Sequence, residues 1–171
     1  MGLQIGEIVP RKDVAFNELK GRIIAVDAYN AIYQFLSSIR QYDGTPLQDK
    51  QGNITSHLSG LFYRNISLLS EGIKLAYVFD GKPPEKKFAT NEARKKAKDI
   101  AKEKFEEAIK KKDYDEMKKY SAQFVKIDED IIKESKELLQ AMGIAIIQAP
   151  SEGEAQASYL AKTREAYGVA S

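Results

Sequence analysis

The stretch RIIAVDAYNAIYQFLSSIR, residues 22–40, decides the fold. Residues 22–27 are apolar almost without a break up to Asp27, as in a strand covered on both faces rather than one that alternates. Past Asp27 the period changes. Ile32, Leu36 and Ile39 recur at three- and four-residue steps, which puts them on one stripe of a helix over 29–40. A buried strand running into an amphipathic helix is half of a βαβ unit, and the chain repeats it. LAYVFD (75–80), IAIIQ (144–148) and YGVAS (167–171) read as further strands. Helical patterns fill 56–71 (Leu58, Leu61, Phe62, Leu69), 127–142 (Ile131, Leu138, Met142) and 151–163, the first two stopping at Gly72 and Gly143. The expectation is an α/β fold with a largely parallel central sheet flanked by helices. Residues 41–53, with Asp43-Gly44 and Gln51-Gly52, read as a loop.

One segment departs from this rhythm. After Pro83-Pro84, residues 85–126 are rich in Lys and Glu and weakly apolar, reading as two helices that break near Lys112-Asp113 and project from the body. Residues 82–126 hold 15 Lys and Arg against 9 Asp and Glu, whereas the remainder holds 12 against 16. The organisation expected is an α/β core of 1–81 with 127–171, interrupted by a basic helical insertion over 82–126. A basic part suits phosphates and an acidic part suits cations.

The 171 residues suit one domain. There is no cysteine and one histidine, His57, which excludes a disulfide framework, a thiolate or multi-histidine zinc site and a cysteine nucleophile. A metal would need oxygen ligands, which points to Mg²⁺ or Mn²⁺. No apolar run approaches the length of a membrane span and no signal peptide opens the chain. Met1-Gly2 is not followed by Ser or Thr at position six, where Gly6 stands. The expected location is intracellular, in the cytoplasm or nucleoid, with no membrane partner.

The first two strands end in Asp27 and Asp80, and the third runs through Ala149-Pro150 into Ser151-Glu152-Gly153-Glu154 at the start of a helix. Functional groups collect at the carboxyl ends of parallel strands. Three distant segments therefore deliver four carboxylates to one edge, where they resist ionising together unless a cation neutralises them. Structural roles compete for the same letters. Asp27 suits the N-cap of its helix, and Ser151 with Glu154 forms a capping-box pattern. Asp80, followed by Gly81-Lys82-Pro83-Pro84, fits no such role. Glu152 and Glu154 are two apart and face different ways on a regular helix, so one is expected to bind metal directly and the other through water.

Lys87 and Arg94, seven apart, share a helix face that could clamp a phosphodiester, or could equally be solvated. Tyr33 could stack on a base, or pack with Tyr29, Ile32 and Leu36. Thr55-Ser56-His57 opens a helix whose free N–H groups suit a phosphate, or simple capping. His57 has no partner visible in the sequence.

Together VDAYNAIYQFL, TSHLSGLFYR, YVFDGKPPEKK and GIAIIQAPSEGEA resemble the flap endonucleases of archaeal type, over essentially all 171 residues. The resemblance implies a PIN-like 5′ nuclease fold in which the basic helices form an arch passed by the single-stranded flap. It implies a structure-specific 5′ flap endonuclease and exonuclease of DNA replication and repair, with two Mg²⁺ ions, replaceable by Mn²⁺, on the residues matching Asp27, Asp80, Glu152 and Glu154. Lys87 and Arg94 match the residues that contact the scissile phosphate, and Tyr33 the tyrosine that stacks at the cleavage site. Arg40, Gln48 and Thr55 match a pocket for a 3′ flap, and Gly2 lies near the active site. Branched DNA with a 5′ flap and a sliding clamp are the implied partners.

In that family the strand matching YGVAS leads into two more aspartates for the second metal, then a helix-hairpin-helix region and a clamp-binding peptide. None of these lies within residues 1–171, so impaired activity, marginal stability or self-association is expected. Three other readings compete. A non-catalytic branched-DNA-binding fragment is the first. A PIN-like ribonuclease is opposed by DGKPP and the long basic segment. A phosphatase with Asp27 as nucleophile would want an acid where Tyr29 stands.

Overall fold

A computed structural model describes residues 10, 12–81, 88–111, 113–121 and 126–171, and leaves the side chains of 88–98 and 118 undescribed. Four parallel strands pair in the order β3-β2-β1-β4: β1 (Ile23–Asp27), β2 (Lys74–Phe79), β3 (Ala145–Gln148) and β4 (Gly168–Ala170). Among the described residues six α-helices accompany them: α1 (Ala28–Ser38), α2 (Ser56–Ser70), α3 (Phe88–Lys111), α4 (Tyr114–Ser121), α5 (Glu129–Ala141) and α6 (Gly153–Lys162). Every expected strand and helix is present; in the α/β body the ends move by up to two residues, and the two helices expected over 85–126 are observed as 88–111 and 114–121, with 82–87, 112 and 122–125 outside the described residues. A 3-10 turn over Phe16–Leu19 was not legible as a separate element. Among the described residues no helix is long and apolar enough to cross a membrane.

The sheet has two unlike faces, and strand alternation sorts the side chains between them. Val26, Leu75, Tyr77 and Phe79 join Ile32, Leu36, Leu61, Ile131 and Leu139 in the larger core beneath α1, α2 and α5. Ala25 and Val78 turn the other way, to Ala149, Ala157, Leu160 and Ala166 under α6. The second face is built of small residues, and beside α6 it leaves an apolar recess of about 440 Å³ bordered by Ile23, Ala76, Ile147 and Leu160. Central β2 is buried along five of its six residues, which is why its sequence reads as a continuous apolar run.

The buried face of α2 differs from the expected stripe. Leu61 is buried, but Phe62 and Leu69 are exposed, and the inner face is made of Ser56, His57, Gly60 and Asn65. Gly60 lets the Phe35 ring of α1 come so close that a Cβ there would overlap it. Asn65 is placed inward by a hydrogen bond: the Tyr77 hydroxyl donates to its Oδ1 at 2.8 Å, in full burial. A small, polar inner face buried by close packing carries no periodic apolar signal.

The helices α3 and α4 pack on each other through buried Ala101, Ala108, Met117 and Ser121. Asp113 breaks them apart: its N–H donates to the Ala108 carbonyl, and its carboxylate accepts from the Glu116 N–H at 3.1 Å. Residues 41–53 are tied more tightly than a plain loop, by antiparallel bridges between Arg40 and Pro46 and between Gln48 and Ile54.

Replacing Tyr77 with Phe strands the Asn65 amide, whose Nδ2 has no partner in the described structure. The expected loss is about 1–3 kcal/mol in urea unfolding. Adding Asn65→Leu recovers much of it, because both polar partners are then gone.

Candidate functional site

The edge formed by the carboxyl ends of the strands gathers the acids. The Asp27 position pairs with Val78, and Phe79 with Gln148, so β1, β2 and β3 end nearly level. Alternation carries Asp27, two residues past Ala25, and Asp80, two past Val78, to the α6 face. There α6 begins, with Glu152 at its N-cap position and Glu154 in its first turn.

The segments after β2 and β3 are laced together. The Gly153 N–H donates to Asp80 Oδ1 at 2.5 Å. Gln148 Nε2 donates to the Asp80 carbonyl at 2.5 Å, and the Gly81 N–H to the Ser151 carbonyl at 2.6 Å. This proximity explains both glycines. A Cβ on Gly153 would sit 2.8 Å from Asp80 Oδ1 and 3.1 Å from the Val78 carbonyl, and one on Gly81 would collide with the Ala149 carbonyl. Gln148, Gly81 and Gly153 are site-building residues that the strand and helix patterns did not single out. The letters FDG and SEGE were the available signal.

Asp27 does two jobs at once. It ends β1 and caps α1, accepting the Asn30 N–H at 3.2 Å. Burial holds its carboxyl above the usual carboxylate range, and the charges of Asp80 and Glu154 raise it further, against the lowering effect of the Asn30 and Tyr29 N–H groups. The three acids therefore share one electrostatic neighbourhood. The negative charge of Asp80 also reaches Tyr29, whose phenol is raised first by burial and then by that carboxylate. No three His, Cys, Asp or Glu side chains stand in ligating arrangement among the described residues. The acids are neighbours, not yet a closed cage.

The expected capping box at Ser151 and Glu154 does not form, because α6 starts at Gly153 and no side chain caps it at Glu152. Thr55 occupies the N-cap position of α2 without a capping side-chain bond. Ser56 does the local stitching instead: its hydroxyl donates to the Ile39 carbonyl at 2.7 Å and accepts the Leu47 N–H at 2.8 Å, closing both stems of the 40–55 segment. His57 does have an acid partner. It is fully buried with Nε2 3.1 Å from Glu134 Oε2. Burial lowers its pKa, against the pull of Glu134 and Asp128.

Tyr33 is 39% exposed, so it lies on the surface of α1 and not with Ile32 and Leu36 in the core. Arg40 is held by its own loop, donating to the Ser37 carbonyl at 3.1 Å and the Gly44 carbonyl at 2.8 Å. Burial lowers its guanidinium, with Tyr33 acting in the opposite sense. Gln48 is exposed on the bridged loop. Gly2 and Lys87 lie outside the described residues, and Arg94 lies in α3 with its side chain undescribed.

Comparison with known proteins fits this arrangement. The XPG N-terminal domain matches residues 3–101 and the XPG I-region residues 143–171. Over all 171 residues the chain is 56% identical to flap endonuclease 1 of Thermococcus onnurineus and 57% identical to that of Pyrococcus horikoshii. It spans half the length of each, 50%. The solved structure of flap endonuclease-1 from Methanococcus jannaschii superposes with a TM-score of 0.71 at 45% identity, covering 98% of this chain and 53% of that one. The catalytic core of Rad2 in complex with a DNA substrate gives 0.58 at 29% identity, covering 92% and 40%. The level strand ends and the acids at the mouth of α6 fall within the two matched regions, and the chain belongs to the XPG family.

Proposed function

We propose that the chain is the amino-terminal part of a divalent-metal-dependent, structure-specific 5′ nuclease that cuts flap DNA at the junction of single and double strand. The observation that carries this is the shared electrostatic neighbourhood of Asp27, Asp80 and Glu154 at the carboxyl edge of a parallel sheet. The names of the most similar relatives supply the substrate class.

The donor set suits Mg²⁺ or Mn²⁺. It is all oxygen, the chain has no cysteine, and its one histidine is committed to Glu134. Asp27, Asp80, Glu152 and Glu154 are the proposed ligands. Bound divalent ions would polarise the phosphodiester, lower the pKa of an attacking water and offset charge on the attacking and leaving oxygens. The protein's own part is placement. The Gly153 N–H orients Asp80, and capping of α1 orients Asp27. Lys87 and Arg94 are proposed to hold the scissile phosphate and offset charge on its oxygens. Tyr33 offers an exposed ring for a base beside the cut. Arg40, Gln48 and Thr55 are proposed to receive the 3′ flap, and Gly2 to lie near the reacting phosphate. Residues 82–126 are proposed as the insertion that the 5′ flap meets, set on a core of 1–81 and 127–171.

Incubation with labelled double-flap DNA and Mg²⁺ tests the reading. Cleavage at the junction is expected, abolished by Asp80→Ala and slowed about 10²–10³-fold by Lys87→Ala. Flap binding without cleavage would favour a binding module, and no preference for flap over linear duplex would overturn both. Gly153→Ala should cut activity as Asp80→Ala does, since the added methyl displaces the Asp80 carboxylate.

Stability offers an independent check. Because the Asp27 carboxyl is held above its usual range, ionising it costs the folded state. The favourable contribution is full below the unfolded carboxyl range and lost as pH rises through the folded value. Asn caps a helix as well as Asp does. Asp27→Asn should therefore raise the melting temperature of the metal-free protein at neutral pH. Saturating Mg²⁺ should raise that of the unsubstituted protein by ~5–10 °C and leave Asp27→Asn unmoved. A metal-free Asp27→Asn protein that melts lower would contradict the burial and neighbouring charges that raise the Asp27 carboxyl.

A further inference from the structure

Tyr42 in the α1–α2 loop and Tyr114 at the start of α4 meet ring to ring, their centroids 5.2 Å apart and their planes tilted by 45°. Tyr42 keeps 84% of its surface exposed and Tyr114, about half-buried, 46%. Tyrosine contributes to a core by burying its ring, and a ring left this open contributes little of that kind.

Both rings nevertheless stand on fixed backbone. On the loop side the Gln41 N–H donates to the Thr45 carbonyl at 2.8 Å. Asp43 Oδ1 accepts the Thr45 N–H at 2.9 Å and its hydroxyl at 2.6 Å. On the other side the Asp113 carboxylate caps the first turn of α4 directly before Tyr114.

The surrounding charge says which part of a ligand the pair would take. Lys110, Lys111 and Lys112 precede it in the chain, Lys111 pairs with Glu107 at 3.8 Å, and Asp113, Asp115 and Glu116 flank Tyr114 in sequence. Along the chain these charges nearly cancel, so the pair offers π faces rather than a strong pull on phosphate. We propose that Tyr42 and Tyr114 form a stacking site for unpaired nucleobases of a single-stranded nucleic acid, at the seam between the α1–α2 loop and α4. The inference rests on the nucleic-acid reading above and adds a place where the unpaired strand is held. The rings already touch, so a base takes an outer face or replaces the partner ring. That exchange favours the base, since ring–base stacking is the stronger of the two.

Fluorescence anisotropy with three probes tests it: labelled oligo-dT, an abasic strand of equal length and charge, and a blunt duplex. Tyr42→Ala and Tyr114→Ala should each weaken oligo-dT binding ~5- to 100-fold. Tyr42→Phe and Tyr114→Phe should bind as the unsubstituted protein does, and abasic-strand binding should not change in any variant. Alanine variants that bind oligo-dT normally would overturn the proposal. So would variants that lose oligo-dT and abasic strand in equal measure. Melting with and without Mg²⁺ separates the two readings. A protein stabilised by Mg²⁺ but indifferent to both strands loses the stacking site and keeps the metal site. Tyrosine-dependent oligo-dT binding without any Mg²⁺ effect keeps the stacking site and overturns the nuclease.

Discussion

Like charges brought together by parallel strand pairing are the constraint on which this molecule turns. The register that sets Asp27 beside Val78 and Phe79 beside Gln148 makes three strands end level. The two-residue alternation then sends Asp27 and Asp80 to the face where α6 starts. The Asn30 and Gly153 N–H groups offset part of the charge on Asp27 and Asp80, but the strand register is set by backbone hydrogen bonds that hold whether or not the acids are charged. The Asp27 carboxyl is raised there, first by burial and then by the charges of Asp80 and Glu154. A cluster of like charges costs stability in isolation, and a cation bound beside it would offset that cost.

The rest of the fold keeps that edge from relaxing. Small residues on the α6 face, Ala25, Ala149 and Ala157 among them, bring α6 close to the sheet, and Gly153 lets its first turn touch Asp80. On the opposite face the heavier core of Ile32, Leu36, Leu61, Tyr77, Phe79 and Leu139 supplies the apolar burial. Tyr29 joins the two halves, packing edge-on against Phe79 at 6.4 Å while sensing the Asp80 charge. Residues 40–55 are pinned in turn by Ser56 and by the Arg40 hydrogen bonds to Ser37 and Gly44. The loop thus has a defined shape next to α1, and its Ile54 packs against the larger core.

Much of this was legible in the residue order because its physics is local or periodic. Continuous apolar runs gave all four strands, and the break at Lys112-Asp113 separated α3 from α4. The acids were legible too, since a strand that ends in aspartate places it at a known end of a parallel sheet. The inner face of α2 was not legible. It is polar and small, and it is buried because Phe35 fits over Gly60 and Tyr77 donates to Asn65, contacts between residues far apart in the chain. His57 is a like case: its partner Glu134 is 77 positions away. The capping box at Ser151 looked complete as letters, but α6 begins where Gly153 meets Asp80, two residues later.

By itself, then, the sequence determined the element types, their order, the parallel class of the sheet and the four acids offered to its carboxyl edge, because hydrophobic period and strand-end position are properties of neighbours along the chain. Only the tertiary structure decided which acids act on one another, that Tyr33 and Tyr42 lie exposed, and that Gln148, Gly81 and Gly153 bind the β2 and β3 ends into one site. Those depend on strand register and on close approaches between distant segments, and a local pattern of residues carries no information about how far apart two such segments come to rest.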